Sequence, residues 1–198
     1  MGLTVMLIMT TSFFSWKNFE NSSTVSYKKQ LGYKSQLIAD TIEQKINRYF
    51  DVLELVSHEL PFKDNGEVDA SSAIKILQHA LKVTNSINVY FAVEDGTSYS
   101  ATTNGIIKNF NAKTKQREWF LEGMSGKDKT ITRPYTSTTG GQVMSLAKPI
   151  YKHGKIVGVV SLNVSVEELS KFTKQLTKNN KIFVAVSYTH LTLPTTPV

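Results

Sequence analysis

The sequence predicts an α+β domain, a long N-terminal helix followed by a five-stranded antiparallel sheet flanked by helices. Three observations lead there. Apolar residues recur in steps of three and four from about residue 24 to residue 60. The period then switches to two at Ile87, Val89, Phe91 and Val93. Finally, two strand-like runs at 142–152 and 155–165 are separated only by His153-Gly154, a short connection that suits a hairpin.

The first helix rests on Leu31, Leu37-Ile38, Ile42, Ile46, Tyr49-Phe50, Leu53, Val56 and Leu60, which form one stripe. Lys34, Glu43, Lys45, Arg48 and Glu54 fall on other faces. No proline interrupts the run until Pro61, which stops it. The helix would be roughly 55 Å long at 1.5 Å per residue. Gly32 weakens it by about 1 kcal/mol relative to Ala and allows a bend.

Asp64-Asn65-Gly66 reads as a turn. Asp69 can cap a helix over about 70–84, whose inner face is Ile74, Leu77, Leu81 and Thr84. A strand over 87–93 turns at Glu94-Asp95-Gly96 and returns over about 98–103. Helical character reappears at about 114–124. Strands follow at 129–135, 142–152 and 155–165, with Gly140-Gly141 and His153-Gly154 as turns. Val159, Leu162 and Val164 help to define the two sheet faces. Ser165 and Glu168 make a capping box for a last helix over about 166–178.

The 198 residues suffice for one domain with a sizeable core, or one and a fraction. A hydrophobic fraction of 40% and an aromatic fraction of 10% are ordinary for a packed soluble fold. The absence of cysteine excludes disulfides, thiolate metal sites and cysteine nucleophiles. The net charge of +7 raises nucleic-acid binding as a question, but the cations are scattered as Lys28-Lys29, Lys113-Lys115-Arg117, Lys127-Lys129 and Lys178-Lys181. Only three of the 23 basic residues are Arg, and no recognition motif accompanies them, so no nucleic-acid partner is expected. His58, His79, His153 and His190 lie far apart, without metal-ligand spacing. No nucleophile elbow, P-loop or dinucleotide fingerprint is present. The chain is therefore not expected to be an enzyme, and no cofactor is expected.

Residues 2–16 carry no charge and end at Trp16-Lys17, the kind of pair that anchors a membrane interface. A span needs about 20 apolar residues, so residues 1–16 are expected to be the back half of a transmembrane helix, and 17–62 the helix joining it to the domain. KIFVAV at 181–186 reads as the first strand of a second module. Residues 187–198, with no charge and two prolines, resemble vector-derived read-through and are set aside as a non-native tail.

The most informative segment is 114–166. It holds Arg117, Trp119 and Phe120, then Pro134-Tyr135, a Gly-Gly tip, Ser145, Ala147 and Pro149, and Gly154-Lys155-Ile156-Val157-Gly158-Val159. In this order the pieces resemble the ligand-binding half of double Cache domains, the PAS-like extracytoplasmic sensors of bacterial chemotaxis receptors, sensor kinases and diguanylate cyclases. The resemblance implies a membrane-distal sensor module over 63–180, in a receptor of the inner membrane that faces the periplasm or the outside of the cell. It also implies a homodimer paired through the long helix, signalling by small displacements of the terminal helices, and a small carboxylate or amino-acid-like ligand. Two rival readings stand beside the chemoreceptor: a sensor of a histidine kinase or diguanylate cyclase, and a membrane-anchored interaction module with no ligand.

For the site, the Arg117 guanidinium offers a planar fork for a carboxylate. Trp119 can form an apolar wall, Phe120 stands where the family often has a Tyr and so brings no hydroxyl to the ligand, the Tyr135 hydroxyl could cap a ligand oxygen, and Phe91 or Tyr99 would reach in from the facing strands. Besides Phe120, two departures from the family pattern matter. Asn163 stands where amino-acid-binding members carry an Asp that holds the ligand ammonium, and Ala112 lies near the place of an additional Tyr. The resemblance thus implies a carboxylate clamp that survives and an ammonium clamp that does not.

Overall fold

The computed structural model describes residues 2–63, 67–137 and 140–178. The expected turn at 64–66, the module start at 181–186 and the tail at 187–198 lie outside them. Helix α1 runs unbroken over Gly2–Glu59, so the expected 24–60 helix and the uncharged segment before it are one element. Leu60 still donates its N–H to the Val56 carbonyl before Pro61 ends the run. No helix among the described residues is long and apolar enough to cross a membrane. Two compact units divide the chain. The larger, Glu43–Thr173, holds the whole sheet; the other takes the described residues up to Ile42 and those from Lys174.

Within the larger unit, α2 spans Ala70–Thr84. The Asp69 carboxylate accepts from Ser71 N–H and from the Ser71 and Ser72 hydroxyls. Those bonds, led by Ser72, hold its pKa down at about 2. Asn85 closes the helix in the left-handed conformation, its N–H donating to the Leu81 carbonyl. The Asp69 cap was legible in the sequence; the Asn85 cap was not foreseen.

The remaining elements are β1 (Asn88–Val93), β2 (Thr97–Ser100), β3 (Gly105–Asn111), α3 (Glu118–Met124), β4 (Thr130–Ile131), β5 (Tyr135–Thr136), β6 (Gln142–Lys152), β7 (Lys155–Ser165) and α4 (Val166–Lys178). The sheet is antiparallel throughout, in the order β3-β2-β1-β7-β6-β4, with β5 also on β6. β6 and β7 pair from Val143↔Ser165 to Lys152↔Lys155. His153 and Gly154, at φ 50° and 77°, form the two-residue turn with positive φ at both positions that matches strand twist. Ser165 Oγ accepts from Glu168 N–H at the start of α4.

The α+β layout is as the sequence predicts, but the sheet has seven strands rather than five. β3 was not expected because its residues do not alternate cleanly. Asn109 sits at φ 57° and the β2–β3 register shifts beside it. The expected strand at 129–135 is split into β4 and β5 because Pro134 supplies no N–H to a ladder. The return strand ends at Ser100 rather than 103, and α3 starts at Glu118 rather than 114 because Gln116 at φ 46° breaks the helical path.

Residues in register share a face. Tyr90, Ser161 and Ala147 stand on one face, as do Asn88, Asn163 and Ser145. On this face α3 buries Trp119 and Phe120 against Tyr90, Ala92, Ala112, Ala147 and Val159. Val89, Phe91, Leu146, Lys148, Val160 and Leu162 take the other face. Val159 therefore belongs to one face, and Leu162 and Val164 to its opposite. Lys148, only 8% exposed, pairs there with Glu54 of α1 and, at 2.9 Å, with Asp128. Burial opposes the lysine charge, but the two carboxylates outweigh it and raise its pKa, while the Lys148 hydrogen bond lowers that of Glu54.

Gly158 pairs with Val93 where β7 crosses β1. A Cβ there would meet the Ala92 carbonyl oxygen far inside contact distance, and backbone cannot yield as a side chain can. Gly158→Ala is expected to push β1 and β7 apart and cost about 1–3 kcal/mol, the usual range for overpacking. A lower urea midpoint with an unchanged slope is the expected reading; an unchanged midpoint would contradict this close strand contact.

Candidate ligand-binding site

One small cavity opens between α3, β3 and the face of the sheet that carries Asn163. Its polar lining is Asn88, Tyr90, Arg117, Tyr135, Ser137 and Asn163, and its apolar lining is Ile107, Phe110 and Trp119. The cavity volume is about 30 Å³, room for little more than one or two waters.

The floor is a hydroxyl cluster gathered on Asn163. Its Oδ1 accepts from Tyr90 OH at 2.7 Å, Ser145 Oγ at 2.8 Å and Tyr135 OH at 3.3 Å. Tyr135 OH lies 2.7 Å from Ser145 Oγ, and Ser161 Oγ donates to Tyr90 OH at 3.2 Å. An amide oxygen has two lone pairs, so the two shorter bonds, from Tyr90 and Ser145, already fill its capacity. Burial pushes the Tyr90 phenol well above its ordinary pKa, which keeps it a neutral donor. Beside this cluster, Asn88 Oδ1 accepts from Ser100 Oγ at 3.0 Å and Thr102 N–H at 3.4 Å.

Arg117 stands just before α3, extended at φ −68° and ψ 123°. Its guanidinium lies between two rings, 5.5 Å from Phe110 and 5.3 Å from Tyr135. Among the described residues no carboxylate is within ion-pair distance of it, so the charge is held by ring faces and solvent. Trp119, 2% exposed, packs edge-on to Tyr90 at 5.0 Å and closes the inner wall.

Of the residues that the sequence singles out, Arg117, Trp119, Tyr135 and Asn163 meet at this cavity. Three do not. Phe120, 1% exposed, turns into the core between α3 and the sheet. Phe91 lies on the opposite sheet face, stacked on Tyr99 at 4.8 Å with the rings 7° apart and edge-on to Phe62 at 6.0 Å. Tyr99 goes with it. Sequence reasoning missed Asn88, Tyr90, Ile107, Phe110 and Ser137. Ile107 and Phe110 sit on the unforeseen strand β3, whereas Tyr90 and Asn88 share the β1 parity opposite to Phe91. Ala112 is fully buried, and Phe110, two residues earlier, brings a ring to the cavity. Among the described residues no group of His, Asp and Glu could hold a metal ion.

A sheet carrying a small polar cavity on one face, roofed by a short helix and backed by a long one, defines a PAS-like sensor module. The chain belongs to the family of methyl-accepting chemotaxis protein-like, first PDC sensor domains, whose model matches residues 62–171. It is also similar to toxin coregulated pilus biosynthesis protein I of Vibrio cholerae serotype O1. Against strain ATCC 39541 it is 26% identical over 207 residues, covering 96% of this chain and 31% of the relative. Against strain ATCC 39315 it is 27% identical over 175 residues, covering 80% and 27%. The chain thus spans less than a third of these relatives.

Two solved structures share the fold. The sensory domain of the Campylobacter jejuni chemoreceptor Tlp3 with isoleucine bound superposes with a TM-score of 0.63 at 21% identity, covering 75% of this chain and 64% of that one. The ligand-binding domain of the Pseudomonas aeruginosa amino acid chemoreceptor PctC, in complex with GABA, gives 0.64 at 20% identity, with 75% and 68% covered.

Proposed function

We propose that this chain is the ligand-sensing module of a transmembrane chemoreceptor and holds a small carboxylate or amino-acid-like metabolite in the cavity beneath Arg117. The observation that carries the reading is the convergence of Arg117, Trp119, Tyr135 and Asn163, from separate elements, on one cavity. Amino acids bound in the related Tlp3 and PctC domains support it. The methyl-accepting family favours a chemoreceptor over a kinase or cyclase sensor. The uncharged 2–16 segment with Trp16-Lys17 supports a membrane anchor, with the module in the periplasm or outside the cell. Exposed Phe13, Phe14, Phe19, Tyr33 and Leu37 on α1 support a homodimer paired along that helix.

Energetics favour a ligand at Arg117. Each ring contact at a partly exposed site is worth about 0.5–1 kcal/mol. Each hydrogen bond to a charged group is worth about 1.5–3 kcal/mol, and a carboxylate accepts two from the fork. A carboxylate therefore favours an arrangement in which the guanidinium turns from Phe110 and Tyr135 toward the ligand, which would widen the cavity. Because the ligand prefers the opened arrangement, binding shifts the population of states, which is what a sensor requires.

Calorimetric titration with carboxylates and amino acids tests the site. Arg117→Ala is expected to cost about 1.5–3 kcal/mol of binding free energy. Unchanged affinity in that variant, for a ligand that carries a carboxylate, removes the site. A module without a ligand predicts no thermal shift with any carboxylate, whereas a bound ligand at a hundredfold excess stabilises by about 2.7 kcal/mol.

A further inference from the structure

We infer that the cavity selects a short monocarboxylate with no ammonium group, the carbon beside the carboxylate bearing hydrogen or a hydroxyl, over the matching α-amino acid. This rests on the proposed ligand-sensing role of the same cavity.

Among the described residues the lining contains one cation, Arg117, and no carboxylate. An ammonium brings three donors and needs acceptors, preferably charged ones. Asn163 Oδ1 already receives Tyr90 and Ser145, which fill its two lone pairs. Asn88 Oδ1 already receives Ser100 Oγ and Thr102 N–H. Each of these amides therefore has only its nitrogen, another donor, left to offer a ligand. The Tyr hydroxyls have lone pairs but no charge, and they face each other across Ser145. An ammonium entering here would lose its water shell, gain no anion and sit in the same small cavity as the guanidinium, all of which disfavour the charged form.

A carboxylate meets the opposite situation. Among the described residues Arg117 has no competing acid, and the two amide nitrogens have no hydrogen-bond partner, so they can donate alongside it. A 2-hydroxyl both donates and accepts, so it can join the Tyr135–Ser145 cluster without bringing a second positive charge beside Arg117. Ile107, Phe110 and Trp119 supply apolar wall for a short hydrocarbon tail. The volume of about 30 Å³ limits that tail to what the departure of Arg117 from its rings can admit, which argues for few carbons.

The test titrates the full chain with two matched sets. One is propionate, lactate and L-alanine; the other is isovalerate, 2-hydroxyisovalerate and L-valine. In at least one set the acid or hydroxy acid is expected to bind about tenfold or more tighter than the amino acid, the scale of one lost charge-assisted bond. Asn163→Asp, which supplies the missing anion, is expected to narrow or invert that ratio. The wild-type ranking decides the inference even if the variant, with its buried charge, does not fold. An amino acid that equals or exceeds its acid and hydroxy acid in both sets overturns the selectivity and leaves the ligand-sensing role intact. Silence of all six compounds overturns both.

Discussion

Trp119→Ala is expected to cost about 3–5 kcal/mol of stability, the range for deleting a large buried aromatic. The indole is 2% exposed and sits edge-on to both Tyr90, at 5.0 Å, and Phe120, at 5.8 Å. It is the main anchor of the seven-residue α3, which has no side-chain hydrogen bond at its N-cap. Loss of the indole would release α3 from the sheet and take the inner wall of the cavity with it. Stability and ligand affinity should therefore fall together. Urea denaturation followed by titration of the folded fraction measures both; a loss below about 1 kcal/mol would mean that the surrounding side chains collapse into the gap far better than this packing allows.

Phe91→Ala is expected to match that loss in stability, about 3–5 kcal/mol, and to leave binding by the folded fraction unchanged. Phe91 is fully buried, stacked on Tyr99 and edge-on to Phe62, and none of the three lines the cavity. The two aromatic deletions thus separate the faces of one sheet. A drop in intrinsic affinity in Phe91→Ala would show that the faces are not independent.

The Phe91 case also shows where reading from sequence stops. Local signals were legible: the Asp69 cap, the stop at Pro61, the His153-Gly154 turn and the Ser165 cap all act within a few residues of themselves. The alternation of β1 was legible too, but alternation yields two parities without saying which one faces the cavity. That is settled by the pairing Asn88↔Asn163, a contact between residues far apart in the chain. Phe91 and Tyr99 fell on the wrong side for this reason, and Asn88 and Tyr90 were passed over. Phe120 fails by a related geometry: neighbours on a helix point about 100° apart, so with Trp119 turned to the cavity Phe120 packs elsewhere. Strand β3 was hidden because Ile106 is 52% exposed and Asn109 breaks the path, leaving no periodic trace.

One property of β6 bears on how this domain can change over time. Its eight residues from Val143 to Ile150 are all buried, with Ser145 holding Asn163 on one side and Lys148 holding Glu54 on the other. A strand with one wet face can drift at every second position while its core is kept. Here no position is exempt, and each neighbour along the chain answers to a different core. A change of ligand preference is therefore more accessible through Ile107 and Phe110 on the half-open edge strand β3, where a new side chain alters the cavity without disturbing the opposite face of the sheet.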